Sequence, residues 1–373
     1  MFYRSMRVFS IVAAFLTAQS AASFMVGEEE ALRAEAMNPS FTSLQRLEAI
    51  KKLYPKQWGN TELMKRRICI WDLGGRSGPI FSAAQDQKME LMALGIEVEM
   101  EAYTSESILV EDLKARRCDA ALMTGMKART FNKFSGTIDS VGALPTIGHV
   151  KLLLKALTNP RMASKFEKGQ YTILGVAPAG AAYIFVNDRK IDSLTKAAGK
   201  RIAVLDYDST QSKMVLKLGA TPIPSSLVGA PNKFNNGAVD VLPAPLVAYG
   251  FMELYRGMEP NGGIINYPFS QATMQMVAIK DKFPTEVAQL IREGFQQRFD
   301  RIIKQLKLQT GEIPEHWWIE IPDQEKQDYE VMMQQARIEL READYYDAEM
   351  LSIQRKVRCK LDPARFECPN PVE

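Results

Sequence analysis

The sequence predicts an α/β protein of two doubly wound sheets with a cleft between them, braced by long C-terminal helices. Two observations carry the lobes and a third the bracing. One pattern is written twice, over Arg67 to Gly125 and again over Lys200 to Pro245. Each copy opens on a basic pair and an apolar run, Arg66-Arg67-Ile68-Cys69-Ile70-Trp71-Asp72 or Lys200-Arg201-Ile202-Ala203-Val204-Leu205-Asp206. A small polar loop follows, then a helical stretch ending at Leu94-Gly95 or Leu218-Gly219. Second strands are expected at Ile96 to Met100 and Ala220 to Pro224, and third strands at Cys118 to Met123 and Ala238 to Leu242. Alternating strands and helices of this kind build a parallel sheet covered on both faces. Downstream, Phe283 to Leu308 reads as one amphipathic helix and Glu325 to Arg358 as another, rich in paired charges.

The N-terminal residues read as a secretory leader. Arg4 and Arg7 form the positive region, Val8 to Ala18 the apolar stretch, and Ser20 to Ser23 a small-residue cleavage zone. That stretch is too short to span a bilayer. The formal net charge is +3, and the leader arginines supply two of those charges. No basic stripe with interleaved aromatics is present, so nucleic acid is not an expected partner. Export gives the four cysteines a compartment in which to pair. Cys69 begins the first strand of the first lobe and Cys118 the third. In a sheet ordered 2-1-3 those strands are neighbours, so a Cys69–Cys118 bridge is expected. Cys359 and Cys368 bracket a short loop suited to a second. Their spacing is not that of a metal knuckle, and neither a metal nor a cofactor is expected.

The chain then divides into a leader at 1–23, a helical lead-in at 24–66, and a first lobe at 67–150 with a return segment at about 246–282. A second lobe follows at 151–245, then bracing helices and a disulfide loop at 283–373. Leu44, Leu47, Ile50 and Leu53 give the lead-in a helical face that Pro55 stops. Tyr171 to Val186, interrupted by Pro178 and Gly180, is where the chain crosses between lobes. Ile264 to Tyr267 and Met274 to Lys280 read as strands of the return, and Pro243-Ala244-Pro245 as the abrupt end of a third strand.

Ligands of open α/β sheets bind beyond the carboxyl ends of the strands. This puts Trp71, Asp72, Gly75, Arg76 and Ser77 of the first lobe beside the cleft, with Asp206, Asp208 and Ser209 of the second. Ser77 and Pro79 suit the start of the following helix. Gly74-Gly75-Arg76-Ser77-Gly78 is neither a phosphate loop nor a dinucleotide fingerprint. Thr124 and Arg129 at the third strand end form a second wall, and Tyr183 on the crossing strand an aromatic lining. Aspartates at matching strand ends serve equally as helix caps. His149 and His316 have no Ser, Cys or Asp context that would suggest a catalytic triad.

Asn187-Asp188-Arg189-Lys190-Ile191-Asp192-Ser193-Leu194, then Gly199 to Val204, resembles a passage of the periplasmic solute-binding proteins of TRAP transporters. Leu218 to Pro224 and Asn236 to Asp240 continue that similarity in order. The first lobe, from Ile68 to Asp72 and through Cys118-Asp119-Ala120, is similar to the AdeT-type solute-binding proteins, a TRAP-like group with that cysteine pair. The resemblance covers most of Arg67 to Pro245. It implies a bilobal periplasmic-binding-protein fold (type II-like), a periplasmic location, and capture of a small polar molecule for inner-membrane transporter subunits, without catalysis. The family's carboxylate-binding arginine falls at Ala203, and alanine does not replace a bidentate clamp. Asp72, Asp206 and Asp208 would instead suit a polar or cationic ligand. An envelope scaffold with a vestigial cleft, or an enzyme on the same fold, are the alternatives.

Overall fold

The computed structural model describes residues 26–58, 63–193, 195–311 and 313–373. The expected leader at 1–23 lies outside the described residues. Ten strands form one continuous sheet, and eight of them give the order β2-β1-β3-β9-β5-β8-β6-β7. In the first lobe β1 (Met64–Trp71) pairs in parallel with β2 (Ile96–Tyr103) and β3 (Ala120–Thr124). In the second, β6 (Arg201–Leu205) pairs in parallel with β7 (Thr221–Ser225) and β8 (Val241–Pro245). Each lobe thus has the 2-1-3 order on which the Cys69–Cys118 expectation rests. Both bridges form, with Cα separations of 5.8 Å for Cys69–Cys118 and 5.6 Å for Cys359–Cys368.

Two long antiparallel strands, β5 (Tyr171–Val186) and β9 (Gly263–Ile279), join the lobes into that single sheet. The two return strands expected at Ile264 and Met274 are therefore one strand. Its register against β5 shifts between Ile173 and Gly175, Pro178 and Gly180, and Ala182 and Ile184. Such bulges bend a strand locally, and the last two lie where the chain passes from one lobe to the other. Gly175 is needed for packing, since a Cβ there would stand 2.1 Å from the Phe295 ring. Short β4 (Glu167–Lys168) pairs with β5 and β10 (Trp318–Ile319) with β9.

Four local expectations are corrected. Pro243 and Pro245 do not cut the strand off at Leu242; they lie within β8, which ends on Pro245, and pair with Ile184 and Ala182 of β5. Prolines have no N–H to donate on the other side, and the β6 pairing goes no further than Ile202 opposite Val241. The long helix expected from Phe283 divides at Arg298 into Thr285–Gln297 and Phe299–Thr310. The last one divides into Asp323–Glu342 and Ala348–Leu361. There Asp344 adopts φ 58°, and the Asp347 side chain caps the next helix by accepting from Met350 N. A left-handed residue followed by a cap outweighs a continuing apolar face. Pro55 likewise opens a short turn of helix, Pro55–Trp58, rather than only ending one.

Candidate functional site

Asp72 lies beside the cavity, as expected, but its carboxylate is taken up by backbone amides. Its carboxylate is 1% exposed and accepts from the amides of Gly74 at 2.8 Å, Ile80 at 2.7 Å and Phe81 at 2.9 Å. It therefore caps the Pro79–Gln85 helix, the role expected of Ser77, which is exposed. A Cβ at Gly78 would lie 1.8 Å from Asp72 Oδ1, so glycine is what lets the carboxylate reach those amides. Gly75 supplies φ 58° in the turn, and Arg76 is exposed. Asp206 and Ser209 are exposed as well. Tyr183 packs edge-on against Trp318 at 5.5 Å, while its neighbours Ala182 and Ile184 line the cavity. The alternation of side chains along β5 thus turns Tyr183 away from the cleft, correcting its assignment as an aromatic lining.

Asp208, Arg129 and Thr124 do meet. Asp208 Oδ1 accepts from the amides of Thr210 at 3.1 Å and Gln211 at 3.2 Å, capping the Ser209–Lys217 helix. Its other oxygen accepts from Arg129 Nη2 at 3.2 Å, so the pair spans the two lobes. Both side chains are largely buried, at 5% and 12% exposure, where an ion pair is screened far less than at a surface. Tyr345, from the break between the last two helices, donates to Asp208 Oδ2 and accepts from Arg129 Nη2. Its ring also stacks under the guanidinium at 3.7 Å. Burial pushes the Tyr345 phenol well above its usual value, so it stays protonated and able to donate.

A second cross-lobe contact sits beside the first. Lys127 Nζ lies 3.7 Å from the centroid of the Tyr207 ring. Thr124 Oγ1 caps the turn that carries Lys127, and Thr124 N donates to Glu106 Oε1 at 2.7 Å. Glu106 is 6% exposed, and its Oε2 has no hydrogen-bond partner. Burial raises its pKa, against the amide of Thr124 and the charge of Lys127. Deeper in, Asp139 accepts from Thr273 Oγ1 at 2.6 Å and Thr273 N at 3.2 Å on crossing strand β9. Of these groups Thr124, Asp139 and Thr273 border a cavity of about 1420 Å³. Trp71, Thr124, Arg129 and Asp139 line it from the first lobe, Ala203 and Gln211 from the second, and Tyr345 from the C-terminal helices. Most of the remaining lining is hydrocarbon, the usual composition of a small-molecule site. Among the described residues no group of three or more His, Cys, Asp or Glu is arranged to hold a metal.

Sequence reasoning missed Glu106, Asp139, Tyr207 and Tyr345. Burial pushes the Asp139 carboxyl up to about 7, against the Thr273 hydrogen bonds and the Arg129 charge that pull it down. A carboxyl whose folded pKa exceeds its unfolded one favours folding while protonated. Its contribution is complete below about pH 4, the unfolded aspartate range, and is lost as pH rises through 7. Asp139→Asn, which keeps an acceptor for Thr273, should therefore melt higher than the parent at pH 8, with the gap narrowing toward pH 5. Paired thermal melts across that range check it; a gap independent of pH would contradict it.

Two lobes on crossing strands, with a lined cavity and polar contacts between them, define a protein of the bilobal solute-binding class. The chain belongs to the AdeT 1/2 solute-binding protein family, whose model matches residues 48–372. It is 38% identical over 299 residues to AdeT1 of Acinetobacter baumannii, described as a probable solute-binding protein, covering 80% of this chain and 98% of that one. To AdeT2 of the same organism it is 27% identical over 236 residues, 63% of this chain and 98% of the relative. Among solved structures, it resembles a TRAP periplasmic solute-binding protein of Ralstonia eutropha with bound (S)-2-acetolactate. That match has a TM-score of 0.62 at 13% identity, over 79% of this chain and 99% of the other. A TRAP periplasmic solute-binding protein of a Bradyrhizobium species, in complex with galacturonate, gives 0.61 at 17% identity over 79% and 99%.

Proposed function

We propose that this protein captures a small polar molecule between its lobes in the periplasm and delivers it to inner-membrane subunits of a TRAP-type secondary transporter, without chemistry. Lobes at about 67–150 and 151–245 would move about the irregular stretch of β5 and β9. The observation that carries the reading is the pair of cross-lobe contacts, Arg129 with Asp208 and Lys127 with Tyr207, the first of which reaches a cavity that Arg129 lines from one lobe and Ala203 and Gln211 from the other. Groups placed there respond to whatever enters. The solved relatives hold acetolactate and galacturonate in such folds, which supports a small-molecule role. His149 Nδ1 meets the Thr146 hydroxyl at 2.8 Å, and His316 stacks on Trp317. Among the described residues no helix is long and apolar enough to cross a membrane.

Native mass spectrometry of protein purified without refolding should show a bound small molecule of unchanged mass after incubation. Small-angle scattering should show a smaller radius of gyration with that molecule than without it, as hinge closure requires. An unchanged radius at saturation would favour a rigid scaffold, and turnover of the molecule would favour an enzyme.

A further inference from the structure

The cavity is larger and less polar than the capture of one small acid or sugar requires. At about 1420 Å³ it exceeds the roughly 300–1000 Å³ of ordinary ligand sites. Its lining touches seven neighbouring strands, from β2 through β9 and β5 to β6, each about 4.8 Å from the next. One polar cluster lies on it where the lobes meet, with Arg129 bound to Asp208 and Tyr345, and Asp139 bound to Thr273. From there one arm enters the second lobe, and three separate apolar clusters face it. Ile202, Val204 and Val215 belong to the first, Ile265, Tyr329 and Met333 to the second, and Tyr346 with Met214 to the third. A close-packed interior would merge them. Here half-buried Ile184 touches the first two, and the arm runs between the groups. Met332 and Ala336 of the Asp323–Glu342 helix line it half-buried, as does Leu218 just past the Ser209–Lys217 helix. Lys217 and Glu339 join those two helices at 2.7 Å and also border the cavity. At 69% and 44% exposure that pair holds weakly.

We infer that the cavity takes an amphipathic molecule with one long hydrocarbon chain, its polar end at Arg129, Asp139 and Tyr345 and its chain in the second-lobe arm beside Met332 and Ala336. This rests on the solute-binding reading and names its ligand class, the polar group of the captured molecule being one end of a longer body. Water in such an arm finds few partners, and each methylene that displaces it leaves water itself. A sugar acid would meet only the polar end and leave the hydrocarbon walls wet. Arg129 supplies donors and Asp139 an acceptor, so a carboxyl or a hydroxyl suits that end. The weak Lys217–Glu339 pair gives the chain a way in between the two helices.

The test uses the full mature chain and two series of probes below their micelle concentrations: hexanoate, octanoate, decanoate and dodecanoate, and the primary alcohols of the same lengths. Galacturonate is the short polar comparison. Calorimetric titration should show affinity rising up to about fourfold for each added methylene until the arm is filled. A rise in both series means that any hydrogen-bonding end suffices, and a rise in the acids alone means a carboxylate held by Arg129; either supports the inference. Ala336→Phe narrows the arm and should weaken the longest members more than the shortest, with Met332→Phe as the second narrowing variant should the first fail to fold. Equal weakening at every length in the folded variants overturns the assignment to this arm. Affinity independent of chain length in the parent overturns the inference outright, as does galacturonate binding more tightly than every chain, or no binding by either series. Any of these results, accompanied by compaction in scattering with the molecule that co-purifies, leaves the solute-binding reading standing. An unchanged radius with that molecule sinks the wider reading as well.

Discussion

Arg358→Met should cost about 3–5 kcal/mol of stability, the usual penalty for removing one partner of a buried ion pair. Arg358 is fully buried and donates through Nε and Nη2 to both oxygens of Glu367, each at 2.6 Å. Nη2 also reaches the Glu373 carboxylate at 2.6 Å, and Nη1 the Ala143 carbonyl at 2.9 Å. The substitution leaves two acidic groups out of water with one base fewer, though Arg365 still meets Glu367 and Arg337 still meets Glu373. Although burial raises it, Glu367 is held at about 2 by Arg358 and Arg365. Its contribution is present above the unfolded glutamate range, near pH 4.3, and lost as pH falls through 2. Urea denaturation with both disulfides intact measures the loss. Arg358→Met combined with Glu367→Gln should recover part of it, because a neutral pair demands less of a dry site. A loss below about 1 kcal/mol would mean that water reaches the network.

That network also bears on the cleft. Arg337 donates to the Val141 carbonyl at 2.9 Å, and Val141 N donates to Tyr346 OH at 3.4 Å. Tyr346 adjoins Tyr345, whose ring and hydroxyl hold Arg129 and Asp208. The C-terminal segment thus positions one wall of the cavity, through Tyr345 and Tyr346.

The fold was legible because its signals are local. Strand-like runs, small polar loops and Leu-Gly helix ends repeat in order, and each can be read within a dozen residues. The Cys69–Cys118 bridge followed from strand order alone. What escaped depends on contacts between distant residues. An amphipathic face continues through Arg298 and through Ala343 to Asp347, so periodicity shows no break. Asp347, which can cap, two residues before Glu349, was the one available cue for the second break.

The site was legible in position but not in role. Strand ends led to Asp208, Thr124 and Arg129, which gather where the lobes meet, and to Asp72, which caps a helix. Which oxygen faces an amide and which faces the cleft depends on loop geometry that composition does not encode. Glu106 reads in sequence as an ordinary acidic residue at a helix start, favourable beside the helix dipole. Its burial arises where its helix start packs against β3, whose Thr124 N meets its carboxylate. Tyr345 lies 137 residues from Asp208, and nothing local links them.

Asp72→Ala should lower stability by about 3 kcal/mol and leave ligand affinity unchanged, separating the two roles that strand-end aspartates can play. Three amide donors, Gly74, Ile80 and Phe81, lose their acceptor in a site that is 1% exposed. Each unsatisfied buried donor costs about 1–3 kcal/mol, and water admitted to the vacated space offsets part of the sum. Loss of a helix cap alone costs about 1 kcal/mol, so a larger effect would identify all three bonds as contributors. Asp72→Asn keeps one good acceptor and should fall between. Asp208→Ala provides the contrast: it removes two cap bonds and the partner of Arg129. Stability and binding should both change there, because a freed guanidinium beside Tyr345 alters the charge that a ligand meets. Melting curves and calorimetric titration with the small molecule that co-purifies, run on both variants, decide the matter. If Asp72→Ala abolishes binding while melting normally, the carboxylate faces the ligand and its amide contacts are incidental. If both variants lose only stability, the two aspartates are caps alike and neither meets the ligand.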